Sequence, residues 1–332
     1  MNAELKQALL QSSLCKYLSM NDLDMLITYS KTVKFAPGEI VLAQGEVSSG
    51  TQVIISGEAL VTAKVLGVGA INIIVLNQGS FIGEISQLLK TPSTVSVVAK
   101  THLECFFISS GYFEMLGTMF PETKYKINKA VIEDVSLRQK SLHKKITAFI
   151  SHSQMASKSI FGEVMHALSR PKETTLKVIQ MKPEKLKQID VLNEMNDEQI
   201  AMLLKNSTIL DAARNATIMR EGEKTPVCYF ILRGAVQSSI RQLQKIAKLS
   251  VLAPGRLFCC MSIIDGTPSI FDFTTCEHTI LLKLSADQLA EIKEKDVTVW
   301  YMIHEEICKS VAALEQAASK LDIRLNSELY NR

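Results

Sequence analysis

The chain has 332 residues, 47% of them hydrophobic, 6% aromatic and 21% charged, a balance that suits two ordinary folded domains. A net charge of +3 is too small to argue for nucleic acid or an anionic membrane, and no apolar run reaches the roughly 18 residues of a membrane span. The amphipathic N-terminus lacks the apolar heart of a signal peptide, and seven dispersed cysteines without C-x-x-C spacing read as reduced thiols, so a cytoplasmic protein is expected.

Residues 2–30 carry a broken helical periodicity (Leu9, Leu10, Leu14, Leu18, Leu23, Met25 and Leu26), with Asn21 predicted as the N-cap of a second helix. From Thr32 to Ile108, short β-branched runs divided by glycine predict a small all-β barrel, with Gly67-Val68-Gly69 at a hairpin tip. A short helix is predicted over Tyr112 to Leu116. A long one starts at Pro121 and places Ile127, Val131, Val135, Leu142, Ile146 and Phe149 on one face.

Residues 122–190 hold 14 Lys or Arg against 7 Asp or Glu. Little aromatic interleaving accompanies them, so they read as a solvated helix face or a contact for an acidic partner, not a nucleic-acid strip. The segment Ser285 to Leu325 reads as helix. In it Trp300, Ile303, Ile307, Ser310, Leu314, Ala317 and Leu321 step by three and four, a coiled-coil-like seam. The seam either lies against its own domain or docks another protein or a second copy.

The chain repeats itself. Met20-Asn21-Asp22 recurs as Met195-Asn196-Asp197, Gly45-Glu46 as Gly222-Glu223, Gly57 as Gly234, Gly79 as Gly255 and Thr91-Pro92 as Thr267-Pro268. The offsets are 175, 177, 177, 176 and 176. Turn residues held at so constant a spacing indicate a duplicated domain.

The stretch Leu76 to Ala99 carries the chemistry. It reads as strand, glycine, one short helix and strand, an arrangement that presents unpaired backbone N–H groups to an anion. Leu76-Asn77-Gln78-Gly79, Phe81-Ile82-Gly83-Glu84 and Thr91-Pro92 resemble the phosphate-binding cassette of cyclic nucleotide-binding domains, the family of catabolite activators and protein kinase A regulatory subunits. Phe35-Ala36-Pro37-Gly38-Glu39 and Gln44-Gly45-Glu46 resemble its opening turns.

The resemblance implies that Glu84 accepts a hydrogen bond from a ribose hydroxyl, and that an arginine nine residues later neutralises the phosphate. Here Ser93 and then Thr94 stand at those places, and Lys90 is the one cation between Glu84 and Ala99. A charge-assisted bond is worth roughly 1.5–3 kcal/mol, and an unpaired buried phosphate costs more, so cyclic nucleotide affinity should drop by about 10²-fold or more. In the second copy Cys259-Cys260 replaces Gly83-Glu84 and Ser269 stands at the arginine place. Met261, Ile263, Ile264, Ile270 and Phe271 are expected to fill that pocket.

Six histidines show no metal-ligand spacing, no nucleophile-elbow, kinase or dinucleotide motif appears, and the tail is too short for a helix-turn-helix. The expected architecture is α+β: two cyclic nucleotide-binding-like β-barrels of jelly-roll type with flanking helices. The first spans 1–135, a basic helical linker 136–188, and a more degenerate second 189–332. The expected function is a non-enzymatic interaction or regulatory component of a larger assembly. It would have protein partners, self-association through its long helices as an option, and no metal or cofactor. The alternative is a sensor that binds a cyclic nucleotide or nucleoside through Gly83, Glu84, Ile85, Ser86, Ser93 and Thr94. It would signal through the helix near Val131 to Leu142. For the docking seam the expected residues are Trp300, Ile303, Ile307, Leu314 and Leu321.

Overall fold

The computed structural model describes residues 2–65, 67–152, 170–177, 186–242 and 245–330. Much of the predicted basic linker, 153–169 and 178–185, lies outside the described residues. The chain divides into two units, Met1–Arg138 with Ser319–Arg332, and Gln139–Ala318. No helix among the described residues is long and apolar enough to cross a membrane.

The first unit opens with α1 (Asn2–Leu10), a 3-10 turn (Ser13–Lys16) and α2 (Met20–Tyr29). Ser19, not Asn21, caps α2. Its hydroxyl accepts from the Asp22 N–H while the Asp22 carboxylate accepts from the Ser19 N–H at 2.9 Å, a reciprocal pair that satisfies two donors the helix leaves open.

Eight strands follow: β1 (Lys31–Phe35), β2 (Ile40–Leu42), β3 (Gly50–Ser56), β4 (Ala59–Val65), β5 (Gly69–Leu76), β6 (Phe81–Ile82), β7 (Ser96–Ala99) and β8 (Leu103–Ser109). They form two antiparallel sheets, in the orders β1-β8-β3-β6 and β2-β7-β4-β5. The expected barrel is therefore a pair of open sheets. Glycine turns hand the chain from one sheet to the other, and among the described residues no ladder joins the two. Ile54, Ile82, Leu103 and Cys105 from one sheet and Ala59, Val61, Leu76, Val97 and Ala99 from the other make the core.

Helix α3 (Glu84–Leu89) interrupts the strands, and α4 (Ser110–Met119) and α5 (Pro121–His152) follow them. Along α5, Ile127, Val131, Val135 and Ile146 are buried, whereas Leu142 and Phe149 are half-buried.

The second unit holds β9 (Lys172–Thr174), α6 (Asp190–Asn193), α7 (Asp197–Lys205) and strands β10 (Thr208–Ala212), β11 (Thr217–Met219), β12 (Val227–Arg233), β13 (Val236–Gln242), β14 (Lys245–Leu252), β15 (Leu257–Phe258), β16 (Asp272–Thr275) and β17 (Thr279–Ser285). Helix α8 (Met261–Ile264) sits in its cassette, and α9 (Ala286–Lys295) and α10 (Val297–Tyr330) close the chain. The sheets run β15-β12-β17-β10-β9 and β11-β16-β13-β14.

The duplication extends to backbone detail. The Gly45 N–H donates to the Ser93 carbonyl at 2.8 Å, and Gly222 to Ser269 at 2.8 Å. The ladder between β3 and β8 shifts register between Ile54 and Ser56, and that between β12 and β17 between Ile231 and Arg233. The helix caps also correspond, but as Ser19 with Asp22 and Asn196 with Gln199, offset by 177. The Met-Asn-Asp match at 175 is thus two residues out of structural register.

The seam of α10 faces inward. Ile303, Ile307, Leu314 and Leu321 are buried, Trp300 is half-buried, and the Ser310 hydroxyl donates to the Leu257 carbonyl at 2.6 Å. Burial is what an apolar stripe along a helix calls for, and four of the five expected docking residues meet it.

Candidate functional site

In the first unit, β6 delivers the chain to Gly83, which N-caps α3 at φ +83°. A methyl group there would meet the Ser48 hydroxyl at 2.6 Å and the Gly50 carbonyl at 3.0 Å, so both conformation and space demand glycine. The turn places Glu84 inward, 3% exposed.

Its partner comes from far along the chain. The Glu84 carboxylate accepts a hydrogen bond from the Arg138 guanidinium on α5. Arg138 Nε also lies 3.5 Å from an oxygen of Asp134, one helical turn earlier. Burial pushes the Asp134 carboxyl above its usual range, Arg138 works against that shift, and Glu84 adds to it. The position that the resemblance assigns to a ribose hydroxyl therefore receives an internal cation.

The remaining expected residues have local partners. Ser86 is buried; its hydroxyl accepts from the Ser48 N–H at 2.9 Å and donates to the Thr91 carbonyl at 2.6 Å. The Ser93 hydroxyl turns back on its own loop, donating to the Val95 carbonyl at 2.8 Å and accepting from the Val95 N–H at 3.3 Å. Ile85 and Thr94 are half-buried. Lys90 is exposed and lies 3.2 Å from Glu114. Gly83, Glu84 and Ser86 thus build the turn, while Ser93 shapes the loop beyond it and supplies no charge.

Sequence reasoning did not single out Arg138. Its distance from Glu84, 54 residues, leaves no local pattern to find; a lone arginine near the buried face of a long helix is the one available signal.

The second cassette keeps the backbone and changes the chemistry. Cys259 holds the left-handed conformation of Gly83, at φ +64°, and both Cys259 and Cys260 are buried. Ser269 repeats Ser93: its hydroxyl donates to the Phe271 carbonyl at 2.8 Å and accepts from the Phe271 N–H at 3.3 Å. Of the residues expected to fill the pocket, Met261 and Phe271 are buried, but Ile263, Ile264 and Ile270 are half-buried. Aromatic rings occupy the interior instead. Tyr229 stacks on Phe258 with centroids 5.4 Å apart, Phe258 lies 5.1 Å from Phe273, and Phe273 meets Phe271 edge-on at 6.4 Å.

Basic side chains beside the second cassette face carboxylates. Lys140 is 2.6 Å from Asp265, Arg241 is 2.7 Å from the buried Asp272, and His143 is 3.1 Å from Glu221. The buried cysteines are reduced, and the thiols of Cys228 and Cys259 are held well above the ordinary range. A hydrogen bond with Cys260 is the main cause for Cys228, and desolvation for Cys259.

A family model described as the cyclic nucleotide-binding domain matches residues 32–117 and 210–296, together more than half of the chain. The human voltage-gated delayed rectifier potassium channel KCNH8 is 28% identical over 162 residues, 47% of this chain and 14% of the channel. The mouse channel is 30% identical over 145 residues, 42% of this chain and 12% of the channel. The chain spans about one seventh or less of the length of these relatives. Among solved structures, the regulatory domain of Toxoplasma gondii protein kinase A with cAMP is 15% identical, covering 91% of this chain and 94% of that one, at a TM-score of 0.32. The regulatory subunit of a cAMP-independent protein kinase A from Trypanosoma cruzi, bound to guanosine, is 14% identical, with 90% and 89% covered and a TM-score of 0.31. Two matched regions, each folded around the same glycine turns and bulges, lead to one conclusion: the chain belongs to the cyclic nucleotide-binding domain family and carries two such domains in tandem.

Proposed function

We propose that this chain is a non-enzymatic regulatory and interaction component of a larger cytosolic assembly, in which binding of cyclic nucleotides is weak or lost. The observation that carries the reading is the Glu84–Arg138 pair. A cyclic nucleotide entering the first cassette would meet a glutamate already engaged and a loop without a free cation at Ser93. Displacing Arg138 would leave a buried carboxylate to be satisfied by a hydroxyl alone, a poorer exchange than the charged pair. In the second domain the aromatic rings and Cys260 remove both space and acceptor. In this reading the first domain is residues 1–135, the second 189–332, and the 136–188 segment links them. Protein partners would be contacted outside the seam of α10.

A sensor is the second reading, and Arg138 itself favours it. A ligand that took over Glu84 would release the part of α5 that carries Arg138, giving the helix near Val131 to Leu142 a reason to move. Calorimetric titration of the whole chain with cyclic AMP and cyclic GMP separates the two. The favoured reading expects no saturation at micromolar concentration, and measurable binding after Ser93→Arg. Micromolar binding to the natural sequence, abolished by Glu84→Ala, would establish the sensor instead.

A further inference from the structure

Each of the four sheets has two outer strands, and among the described residues these eight edges are not alike. Six run for five residues or fewer; of these, β1 carries Lys31 and Lys34, and β9 carries Lys172 and Glu173. The two long ones, β5 and β14, have eight residues each and are copies of one another. Their ladders agree pair for pair. Thr62 faces Asn72 as Ser239 faces Lys248, and both strands bulge at the same place, at Ile73 and at Leu249. A free strand edge is a template for another strand, and a lysine on it is a common guard. Strand β14 has Lys245 and the exposed Lys248. At those two positions β5 has Gly69 and Asn72, and in place of Ser250 it has Ile74, which is 48% exposed. The sequence of β5, GAINIIVL, contains no ionisable group.

The first domain shields the opposite side of the same hairpin. Strand β4 continues to Val65, beyond Thr62, where its pairing with β7 stops. There the Gln44 side chain takes the place of a strand. Its Oε1 accepts from the Lys64 N–H at 2.7 Å, and its Nε2 donates to the Lys64 carbonyl at 3.4 Å. Strand β5 has no such cover. Among the described residues β4 is its sole hydrogen-bonding partner, and Ala70, Asn72 and Ile74 are exposed. A long, uncharged, apolar edge is what folded domains avoid unless another strand adds to it.

From these observations we infer that β5 is an interaction edge whose occupant is β5 of a second copy, antiparallel about a twofold axis, so that two four-stranded sheets become one of eight strands. An edge without charge selects its partner by backbone hydrogen bonds and apolar contact, and a charged strand would have to bring ionised groups beside Ile74. Among the described edges β5 alone is both long and uncharged, so the strand that matches it within this chain is β5 itself. The twofold closes the assembly at two copies, because each β5 has a single free side. The inference goes beyond the regulatory reading above and can fail separately from it, since the pairing uses neither Glu84 nor Arg138.

The test is sedimentation equilibrium of the full chain from micromolar to submillimolar concentration, for the natural sequence, Asn72→Lys, Ile74→Ser and Val251→Ser. The first two give β5 the residues that β14 already carries, so the fold accommodates them, which circular dichroism checks. Val251→Ser removes an exposed apolar side chain from the guarded edge and serves as the control. The expected result is a reversible equilibrium of monomer and dimer. Its Kd should rise about tenfold or more for Asn72→Lys, because the twofold sets two like charges on one short ladder. It should rise for Ile74→Ser as well, stay put for Val251→Ser, and change little with added salt, since no ion pair crosses the edge. Amide exchange across residues 69–76 should slow as concentration increases through the same range. A monomer at every concentration would overturn the inference and leave the edge to an extended segment of another protein. A dimer that neither β5 change weakens, or that leaves exchange in β5 unaltered, would overturn it too and place self-association elsewhere on the chain.

Discussion

Glu84 and Arg138, 54 residues apart in sequence, form a charged hydrogen-bonded pair in which the carboxylate is nearly inaccessible and the guanidinium partly exposed. Such a pair can contribute little net stability, yet breaking it from one side is expensive, because the survivor stays buried without a countercharge. Arg138→Leu should therefore destabilise the chain by about 2 kcal/mol, and Glu84→Gln with Arg138→Leu by clearly less than the sum of the two single changes. Urea unfolding of the four proteins measures the coupling. Strict additivity would mean that the two groups do not interact in solution.

Asp22 ties α2 to the start of α5. Burial alone would raise its carboxyl, but hydrogen bonds from Thr123 at 2.7 Å, from Ser19 and from Lys126 outweigh it and bring it down to about 2. A carboxylate lowered on folding stabilises the native state above its unfolded pKa, and that contribution is lost as pH falls from about 4 to about 2. Asp22→Asn should cost about 2 kcal/mol at neutral pH. In urea unfolding the gap from the natural sequence should close on acidification through that window. A gap constant with pH would show that Asp22 acts through shape alone.

Thiol reactivity should sort by burial. Cys105, pushed up to about 12 mainly by desolvation, and the buried Cys228, Cys259, Cys260 and Cys308 should resist alkylation in the native protein at pH 8. Cys15, raised to about 11, and Cys276 are half-buried and should label first, Cys276 ahead of Cys15. Peptide mapping after timed iodoacetamide treatment reads the order. Fast labelling of Cys259 or Cys260 would mean that the second cassette opens readily.

Two glycines with the same backbone angle should respond differently. Gly57 and Gly38 both sit at φ +89°, but a methyl on Gly57 would lie 2.2 Å from the His102 carbonyl, whereas one on Gly38 meets nothing within 4 Å. Gly38→Ala should cost roughly 1–2 kcal/mol for the left-handed conformation, and Gly57→Ala distinctly more, since backbone must move. Equal unfolding midpoints for the two variants would contradict the close approach.

How much of this was legible in the sequence follows from how far each interaction reaches. Gly45, Gly57, Gly79 and Gly83 announced their turns because a positive φ is a property of one residue, and the recurrence of the first three at nearly constant spacing announced the second domain. The same logic misplaced one cap. Met20-Asn21-Asp22 looked like its later copy, yet a cap is decided by which side chain reaches the third N–H, and Ser19 does so better than Asn21. The stripe from Ile303 to Leu321 was visible as periodicity, but periodicity tells only that a face is apolar, not what covers it. The sheets likewise had readable strands without a readable closure.

By itself, then, the sequence determined two tandem cyclic nucleotide-binding domains and two cassettes with serine where a cation belongs. Those are matters of local turn chemistry and residue identity. Tertiary structure alone decided that Arg138 answers Glu84 and that the apolar positions of α10 are buried. Each of these depends on which distant side chains packing brings within a few ångströms, and charge or hydrogen-bond complementarity over tens of residues leaves no periodic trace in a single chain.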